Sequence, residues 1–184
     1  MTDARERVLQ HLLANSLRRG DFTLKSGRQS SWFIDSKQTI CAPEMMVDLA
    51  NLVLERIPEA ATALGGLTMG ADGVTFITAG VAASRGRRLR AFSVRKQEKD
   101  HGAGGRIAGT LVRSDLVVIT EDTVTRGSSL IEAANVVRDF GAEVVLLLAV
   151  VDRGGTARAM AADQGWEFDA LFSAPDLGFA YEGA

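Results

Sequence analysis

The sequence predicts an α/β fold in which a parallel sheet is flanked by helices. Continuous apolar runs at 116–120 and 144–151 are typical of strands that are buried on both faces of a sheet. Stretches with helical periodicity, 73–84 and 128–140, alternate with these runs. Strands that alternate with helices favour right-handed crossovers, and therefore a parallel sheet covered on both faces.

The other predicted elements come from shorter patterns of the same kind. An apolar helical face over 8–17 is expected to end at Gly20, because glycine commonly stops a helix. The further elements, in chain order, are a hairpin at 22–35, a helix opening at Pro43, strands at 63–66, 90–94 and 168–172, and a glycine-rich loop at 101–109. We expect one domain over 1–184, with a helix and hairpin hood in 1–40 and an α/β core at about 60–172.

Composition excludes several classes of protein. The 184 residues are 46% hydrophobic and 24% charged, which argues against disorder. A formal net charge of −2 argues against a nucleic-acid partner, and no segment approaches the roughly 18 apolar residues of a membrane span. Cys41 is the only cysteine, so no internal disulfide can form, and we expect a cytoplasmic protein.

Positive charge is concentrated in one stretch, 85–113. It contains nine Lys or Arg residues against two acids, Glu98 and Asp100, which leaves a local charge of +7. Such a stretch can be a solvated basic face. It can also be a site for a small polyanion.

The strongest motif is the run LVVITEDTVTRGSS at 116–129. A buried strand leads into Glu121 and Asp122, then into a loop rich in Thr, Gly and Ser, then into a helix. Backbone N–H groups and hydroxyls at a helix N-terminus can bind phosphate. The alternative is simple helix capping by Thr125 or Ser128, but the complete strand–acid–acid–loop–helix order favours a phosphate site.

This run resembles the phosphoribosyl pyrophosphate motif of type I phosphoribosyltransferases, in which two acids precede a T-x-G-x-S/T loop. The resemblance implies that Glu121 and Asp122 bind the ribose hydroxyls and that the loop at 125–129 cradles the 5′-phosphate. Arg126 departs from the family, which usually has a small residue there. The donor contacts implied in this run are Glu121, Asp122, Thr123, Val124, Thr125, Arg126, Gly127, Ser128 and Ser129.

The hairpin region resembles one branch of the family, the orotate phosphoribosyltransferases. The run FTLKSGRQSSWFID at 22–35 matches their N-terminal hairpin. The resemblance implies that Lys25 contacts both the donor and orotate, and that Phe33 and Ile34, together with Thr125, lie against orotate. Taken singly, Lys25 would be a surface lysine and Phe33 a core aromatic.

A glycine-rich basic loop, RKQEKDHGAGG at 95–105, resembles the catalytic loop of the same branch. Arg95, Lys96, Lys99 and His101 would meet the pyrophosphate. In the family, the loop lysine and histidine act in the neighbouring subunit, so the resemblance implies a homodimer with shared active sites. It also implies that Lys99 and His101 are catalytic together with Asp122.

Two further segments complete the resemblance, which covers roughly residues 20–155. The run VVDR at 150–153 resembles a short element whose arginine, here Arg153, pairs with the orotate carboxylate; otherwise it would be an Asp–Arg ion pair at a strand end. The family pattern weakens directly afterwards, at 154–156. The loop GGLTMGAD at 65–72 resembles the pyrophosphate-side loop of bacterial members.

The resemblance implies transfer of a phosphoribosyl group from phosphoribosyl pyrophosphate to orotate in pyrimidine biosynthesis. Mg²⁺ would be the cofactor, held mainly by substrate and water with no direct protein ligand. Two alternatives stay open: a donor-binding regulator without catalysis, and a purine phosphoribosyltransferase. The absence of a spare DNA-binding segment and the presence of Lys99 and His101 argue against the first, and Arg153 argues against the second.

Overall fold

The computed structural model describes residues 3–23, 29–98 and 105–183. The helices within these ranges are α1 (Ala4–His11), α2 (Lys37–Ile40), α3 (Met46–Arg56), α4 (Asp72–Ser84), α5 (Ser128–Phe140) and α6 (Ala157–Asp163). The strands are β1 (Leu17–Thr23), β2 (Gln29–Ile34), β3 (Ala63–Leu67), β4 (Arg90–Val94), β5 (Ile107–Gly109), β6 (Leu116–Val124), β7 (Glu143–Asp152) and β8 (Phe168–Ser173). A π-helical turn covers Leu12–Ser16, and a 3-10 turn covers Pro175–Leu177.

A six-stranded sheet in the order β5-β4-β3-β6-β7-β8 forms the centre of the molecule. Its neighbouring strands run parallel except for β4 and β5, which are antiparallel. The predicted parallel sheet flanked by helices is therefore confirmed, with one antiparallel strand at its edge. That strand lies at 107–109, where the sequence predicted a loop, because the pairing of Phe92 with Gly109 extends the sheet.

Both faces of the sheet are buried, as the continuous apolar runs predict. Val117 and Ile119 of β6 pack in one hydrophobic cluster with α5, whereas Val118 packs in a second cluster with α3 and α4. Successive side chains of a strand point to opposite faces. A strand covered on both sides therefore needs an apolar residue at every position, and this need removes the alternation of half-exposed strands.

The N-terminal hood packs against the second of these clusters. Val8 and Leu12 are fully buried there, beside Trp32 and Ile34 of the hairpin. The helix over 8–17 with a stop at Gly20 was wrong in its extent, since α1 ends at His11 and Gly20 lies within β1. The chain leaves the helix through the π-helical turn because 17–23 pairs with β2 instead of continuing the helix.

Strand β6 is longer than the sequence predicts, and this lengthening affects the candidate site. It runs to Val124, so that Glu121 and Asp122 are part of the strand and do not follow it. The longer strand pairs with β7, where Val124 lies opposite Asp152. The carboxyl ends of β6 and β7 therefore meet at one edge of the sheet. Among the described residues, no helix combines the length and the apolarity that crossing a bilayer requires.

Candidate active site

A cavity of about 1060 Å³ opens beyond the carboxyl ends of β6 and β7. This is where open α/β sheets hold their ligands. Three parts of the chain surround it: the β6–α5 region, the N-terminal hairpin with α2, and the residues after β7 together with the C-terminal tail. The lining residues are Phe22, Thr23, Gln29, Phe33, Ile34, Asp35, Ser36, Lys37, Asp122, Thr123, Val124, Thr125, Arg126, Gly127, Ser128, Ser129, Arg153, Tyr181 and Glu182.

One end of the cavity is the turn from β6 into α5. Gly127 occupies the N-cap position of α5 with a φ of 88°, a left-handed conformation that glycine adopts without a Cβ clash. No described side chain caps this helix, so capping by Thr125 or Ser128 is not what the structure has. The first N–H groups of α5 are then available to an anion, which a helix N-terminus favours.

The two acids at the end of β6 have different surroundings. The Asp122 carboxylate lines the cavity and accepts hydrogen bonds from Ser36 Oγ at 3.1 Å and from its neighbour's backbone N–H, that of Thr123, at 2.7 Å. It also forms an ion pair with Lys37 Nζ. Asp122 is therefore an oriented, charged acceptor with Lys37 beside it.

Glu121 does not line the cavity. Burial, reinforced by the charge of Asp122, raises the pKa of Glu121 to about 8. The loop at 65–72 approaches this carboxyl closely: a Cβ placed on Gly70 would lie 1.7 Å from Glu121 Oε1. A larger residue at position 70 would therefore displace the carboxyl.

The loop at 65–72 is tied to the sheet by Asp72. Thr68 Oγ1 donates to Asp72 Oδ2 and Ser93 Oγ donates to Asp72 Oδ1, both at 2.7 Å. The peptide bond between Thr68 and Met69 is cis. The loop lies beside the two acids of β6 but outside the lining of the cavity, and its assignment to pyrophosphate stays a prediction.

The opposite end of the cavity is formed around Arg153, which is only 5% exposed. Its Nη2 donates to Ser30 Oγ at 2.8 Å and to the carbonyl oxygen of Trp32 at 2.6 Å, and its guanidinium lies 4.4 Å from the centre of the Trp32 ring. The expected alternative, an ion pair with Asp152, is not present. Asp152 Oδ1 instead accepts hydrogen bonds from the backbone N–H groups of Gly154 and Gly155.

The acidic partner of Arg153 comes from the C-terminal tail. Glu182 Oε2 lies 2.7 Å from Arg153 Nη2, and Glu182 Oε1 accepts a hydrogen bond from Ser30 Oγ. Gly154 lies between this end and the phosphate end: a Cβ placed on it would be 1.8 Å from the carbonyl oxygen of Thr125. The two ends of the cavity are thus in direct backbone contact.

The hairpin supplies the apolar wall of the cavity. Phe33 is 41% exposed and Ile34 is buried, and both line the cavity. The rings of Phe22 and Phe33 are 5.7 Å apart. An exposed aromatic side chain beside a polar cavity offers a flat apolar surface to a ring.

The structure brings together many of the predicted site residues, but not all of them. Phe33, Ile34, Arg153 and the run 122–129 line one cavity. Arg95 follows β4, with its backbone N–H donating to the carbonyl oxygen of Arg106, and among the described residues neither it nor Lys96 lines the cavity. Lys25, Lys99 and His101 lie outside the described residues.

Outside the hairpin run at 22–35, sequence reasoning missed four residues that line the cavity: Ser36, Lys37, Tyr181 and Glu182. The first two directly follow the matched hairpin run, so a lysine two residues after Asp35 was an available signal. The tail residues carried no signal, because nothing in their local sequence indicates a contact with a residue about thirty positions earlier in the chain.

Comparison with known proteins gives the family of the chain. No protein-family model matches it. It is 39% identical over 154 residues to the orotate phosphoribosyltransferase of Streptomyces coelicolor, an overlap of 83% of this chain and 85% of that protein.

Solved structures agree with this relationship. The orotate phosphoribosyltransferase of Mycobacterium tuberculosis, in complex with Fe(III) dicitrate, has a TM-score of 0.83 and 31% identity, covering 96% of this chain and 99% of that chain. The same enzyme in complex with 5-phospho-α-D-ribosyl 1-diphosphate has a TM-score of 0.79 and 29% identity, with the same shares of 96% and 99% covered. This chain belongs to the orotate phosphoribosyltransferase family.

Proposed function

We propose that this protein transfers the phosphoribosyl group of phosphoribosyl pyrophosphate to orotate, releasing pyrophosphate and forming orotidine 5′-phosphate. The observation that carries the proposal is one cavity with an anion-binding helix N-terminus at one end and a buried guanidinium at the other. Relatives bear the name of this activity, and a solved relative was crystallised with the donor.

The donor is assigned to the β6–α5 end of the cavity. Its 5′-phosphate would accept hydrogen bonds from the N–H groups of the loop at 125–129 and of the first turn of α5. Asp122 would accept hydrogen bonds from the ribose hydroxyls, since its carboxylate is already oriented by Ser36 and the backbone. Arg126, which is exposed at the same end, supplies an additional positive charge for the phosphate.

Orotate is assigned to the Arg153 end. A guanidinium donates two parallel hydrogen bonds to a planar carboxylate, which a lysine at this position could not do. Phe33 and Ile34 would cover the ring of orotate, and Thr125, which lines the cavity, would lie between the two substrates. This arrangement favours an acid-bearing pyrimidine over a purine, whose ring carries no carboxylate for Arg153.

The chemistry requires the bond from C1 of the ribose to pyrophosphate to break, while a bond from C1 to a ring nitrogen forms. In the family, the transition state resembles a ribosyl oxocarbenium ion. The main tasks of the protein are then to position the two substrates and to neutralise the charge that grows on pyrophosphate. Lys25, Lys96, Lys99 and His101 are proposed for the second task.

Mg²⁺ is proposed as the cofactor. The carboxylate of Asp122 and the hydroxyl of Ser36 suit a hard cation that takes most of its ligands from substrate and water, with the ammonium of Lys37 as a competing positive charge on the same carboxylate. When bound, it would supply positive charge to the pyrophosphate. Within this chain, Asp122 and the neighbouring backbone would position the ribose that shares the ion.

A shared-site homodimer and a cytoplasmic location complete the proposal. Arg95 and Lys96 do not face the cavity of their own chain, which supports a role for the basic stretch in the site of a second copy. The lone Cys41 suits a reducing compartment.

The activity is tested by following orotate absorbance in the presence of the donor, with and without Mg²⁺, and with adenine, guanine and hypoxanthine as controls. We expect orotate consumption that stops on chelation of Mg²⁺ and no use of the purines. Turnover of a purine instead would make the protein a purine phosphoribosyltransferase. Donor binding without any turnover would make it a regulator.

The shared site is tested by mixing two nearly inactive variants, Lys99→Ala and Asp122→Asn, under conditions of subunit exchange. If Lys99 acts in the partner, each mixed dimer contains one site with both defects and one with neither. Random pairing makes about half of the dimers mixed, so about a quarter of wild-type activity should return. With exchange demonstrated by two affinity tags, no recovery would contradict the shared site.

A further inference from the structure

The C-terminal tail, defined here as residues 178–183, returns to the cavity and docks on the hairpin. Phe179 stacks on Trp32 with ring centres 4.6 Å apart and an interplanar angle of 11°. Arg19 belongs to β1 of the same hairpin, and its guanidinium lies 4.8 Å from the centre of the Phe179 ring. The beginning of the tail is therefore held by an aromatic stack and a cation–π contact.

The end of the tail docks on the segment that follows β7. The backbone N–H of Glu182 donates to the carbonyl oxygen of Arg153 and that of Gly183 to the carbonyl oxygen of Gly154, both at 3.1 Å. Gly155, with a φ of +74°, has no side chain to oppose the ring of Tyr181, and a Cβ there would lie 2.7 Å from that ring. The tail therefore binds at 154–155, where the sequence departs from the family pattern.

This docking places a carboxylate of the chain itself against Arg153. Both side chains are shielded, with 6% of Arg153 and 15% of Glu182 exposed. The Nη2 of Arg153 already donates hydrogen bonds to Ser30 Oγ and to the carbonyl oxygen of Trp32, and it forms an ion pair with Glu182. Its Nε is buried and has no hydrogen-bond partner among the described residues.

A substrate carboxylate and Glu182 compete for the same guanidinium. Two carboxylates on one buried guanidinium would leave an uncompensated negative charge, which is costly in a shielded site. A planar carboxylate lying along the Nε–Nη2 edge would bind both donors, whereas Glu182 pairs with Nη2 and Nε has no partner among the described residues. Exchange of one carboxylate for the other therefore keeps the charge balanced and adds a hydrogen bond.

We propose that Glu182 is a specificity-determining residue: it occupies the carboxylate position on Arg153 until a base carrying its own carboxylate displaces it together with the tail. A base without a carboxylate leaves Glu182 in place and meets a cavity narrowed by Tyr181 and Glu182. This inference rests on the proposed function, because it takes Arg153 as the anchor of orotate.

The first test compares Glu182→Gln with the wild type in the orotate assay. The variant keeps the shape of the side chain and loses its charge, so orotate no longer competes with a carboxylate. We expect the KM for orotate to fall by roughly tenfold or more, the worth of one charge-assisted hydrogen bond. The KM for the donor should stay within about twofold. Glu59→Gln, an exposed acid far from the cavity, is the matched control and should change neither value.

The second test measures the position of the tail without any turnover. Carboxypeptidase digestion of the wild type, followed by mass spectrometry, reports how readily the last residues leave the surface. Orotate should accelerate removal of the residues from 184 back to 178, and uracil, the same ring without the carboxylate, should not. In Glu182→Gln the tail should be removed faster than in the wild type before any ligand is added.

Each outcome separates this inference from the proposed function. A higher KM for orotate in Glu182→Gln would mean that Glu182 positions Arg153, which overturns the competition. Unchanged KM values, or equal digestion with orotate and uracil, would also overturn it while leaving the transferase activity intact. A wild-type protein that neither binds nor consumes orotate would remove the proposed function, and this inference with it.

Discussion

The two ends of the cavity are assembled in different ways. The donor end comes mainly from one continuous stretch, 122–129, that links a sheet strand to the helix following it, with Ser36 and Lys37 placed beside Asp122. The acceptor end joins three distant stretches, since Arg153 contacts Ser30, which is 123 positions away, and Glu182 in the tail. A continuous stretch forms its site when the sheet and helix form, whereas the acceptor end exists only after the hairpin and the tail have both docked.

The two ends also differ in what their ion pairs can do. At the donor end, Lys37 pairs with Asp122, and both belong to elements packed on the core. At the acceptor end, Arg153 directly follows β7, but Glu182 lies in the segment 178–183, outside the helices and strands. An acid outside the helices and strands can leave its partner by a local motion that keeps the fold intact. The predictions below use this difference, from the largest expected effect to the smallest.

The largest effect is expected for Asp122→Asn. The change is nearly isosteric, so the fold should persist, but the charged acceptor for the ribose hydroxyls is lost. By comparison with the loss of one preorganised electrostatic contact, kcat should fall on the order of 10²–10³-fold. Steady-state kinetics against the exposed control Asp163→Asn would measure it, and unchanged turnover would remove Asp122 from the site.

Arg153→Ala should act on one substrate only. Losing a desolvated guanidinium that pairs with a carboxylate costs about 2–5 kcal/mol, so the KM for orotate should rise by at least about thirtyfold. Arg126→Ala is the counterpart at the donor end and should raise the donor KM modestly without affecting orotate. Equal effects of Arg153→Ala on both substrates would show that the ends are not separate.

The buried acid of the donor end makes stability depend on pH. The pKa of Glu121 is raised from 4.5 to about 8, chiefly by burial. The unfolded chain ionises this carboxyl from about pH 4.5 upward while the folded chain keeps its proton, so its contribution to stability is full below pH 4.5 and lost as pH rises through about 8. The free energy of unfolding should therefore decrease by a few kcal/mol as the pH rises from 4.5 to about 8.

Glu121→Gln tests this expectation because its side chain cannot ionise. Urea unfolding at pH 5 and pH 8.5 should show a smaller decrease in the free energy of unfolding for the variant than for the wild type. Parallel pH profiles for the two proteins would mean that Glu121 ionises in the folded chain as readily as in water.

The smallest effect is expected at the acceptor end, for Phe179→Leu. The substitution keeps an apolar side chain but removes the aromatic stack on Trp32, which should lower the free energy of unfolding by about 1 kcal/mol. Urea unfolding would measure the loss, and the donor KM should not change. An unaltered unfolding midpoint would mean that the stack adds nothing to the docking of the tail.

The sequence predicts the sheet better than the hood. The runs at 116–119 and 144–151 are apolar at every position, which predicts burial on both faces of a sheet, and β6 and β7 contain them. The helix predicted to stop at Gly20 ends at His11, because pairing between β1 and β2 overrides local helical periodicity. Helix α6 escaped prediction, since seven residues are too few to show an apolar face.

The candidate site divides along the same line. Residues 122–129 could be assigned from one motif, and the structure places them together. Lys37, two residues after the matched hairpin run, had a local signal that was missed, whereas Glu182 had none, because its partner Arg153 lies 29 residues away in the chain. Such a contact forms only when the chain has folded, so neither composition nor periodicity can predict it.

On the proposed assignment of the two ends, one missing methyl group would fix how far apart the two substrates lie. Gly154 follows the residue assigned to the orotate carboxylate, and it packs so tightly on Thr125 that a Cβ would lie 1.8 Å from its carbonyl oxygen. Any other amino acid at position 154 would push the loop at 125–129 and the guanidinium of Arg153 apart by about an ångström or more. A displacement of about 1 Å can slow a positioned reaction on the order of 10²-fold. Gly154 would then be a spacer of the shortest possible length, and the distance between the ring nitrogen and the ribose carbon would be set by the backbone itself.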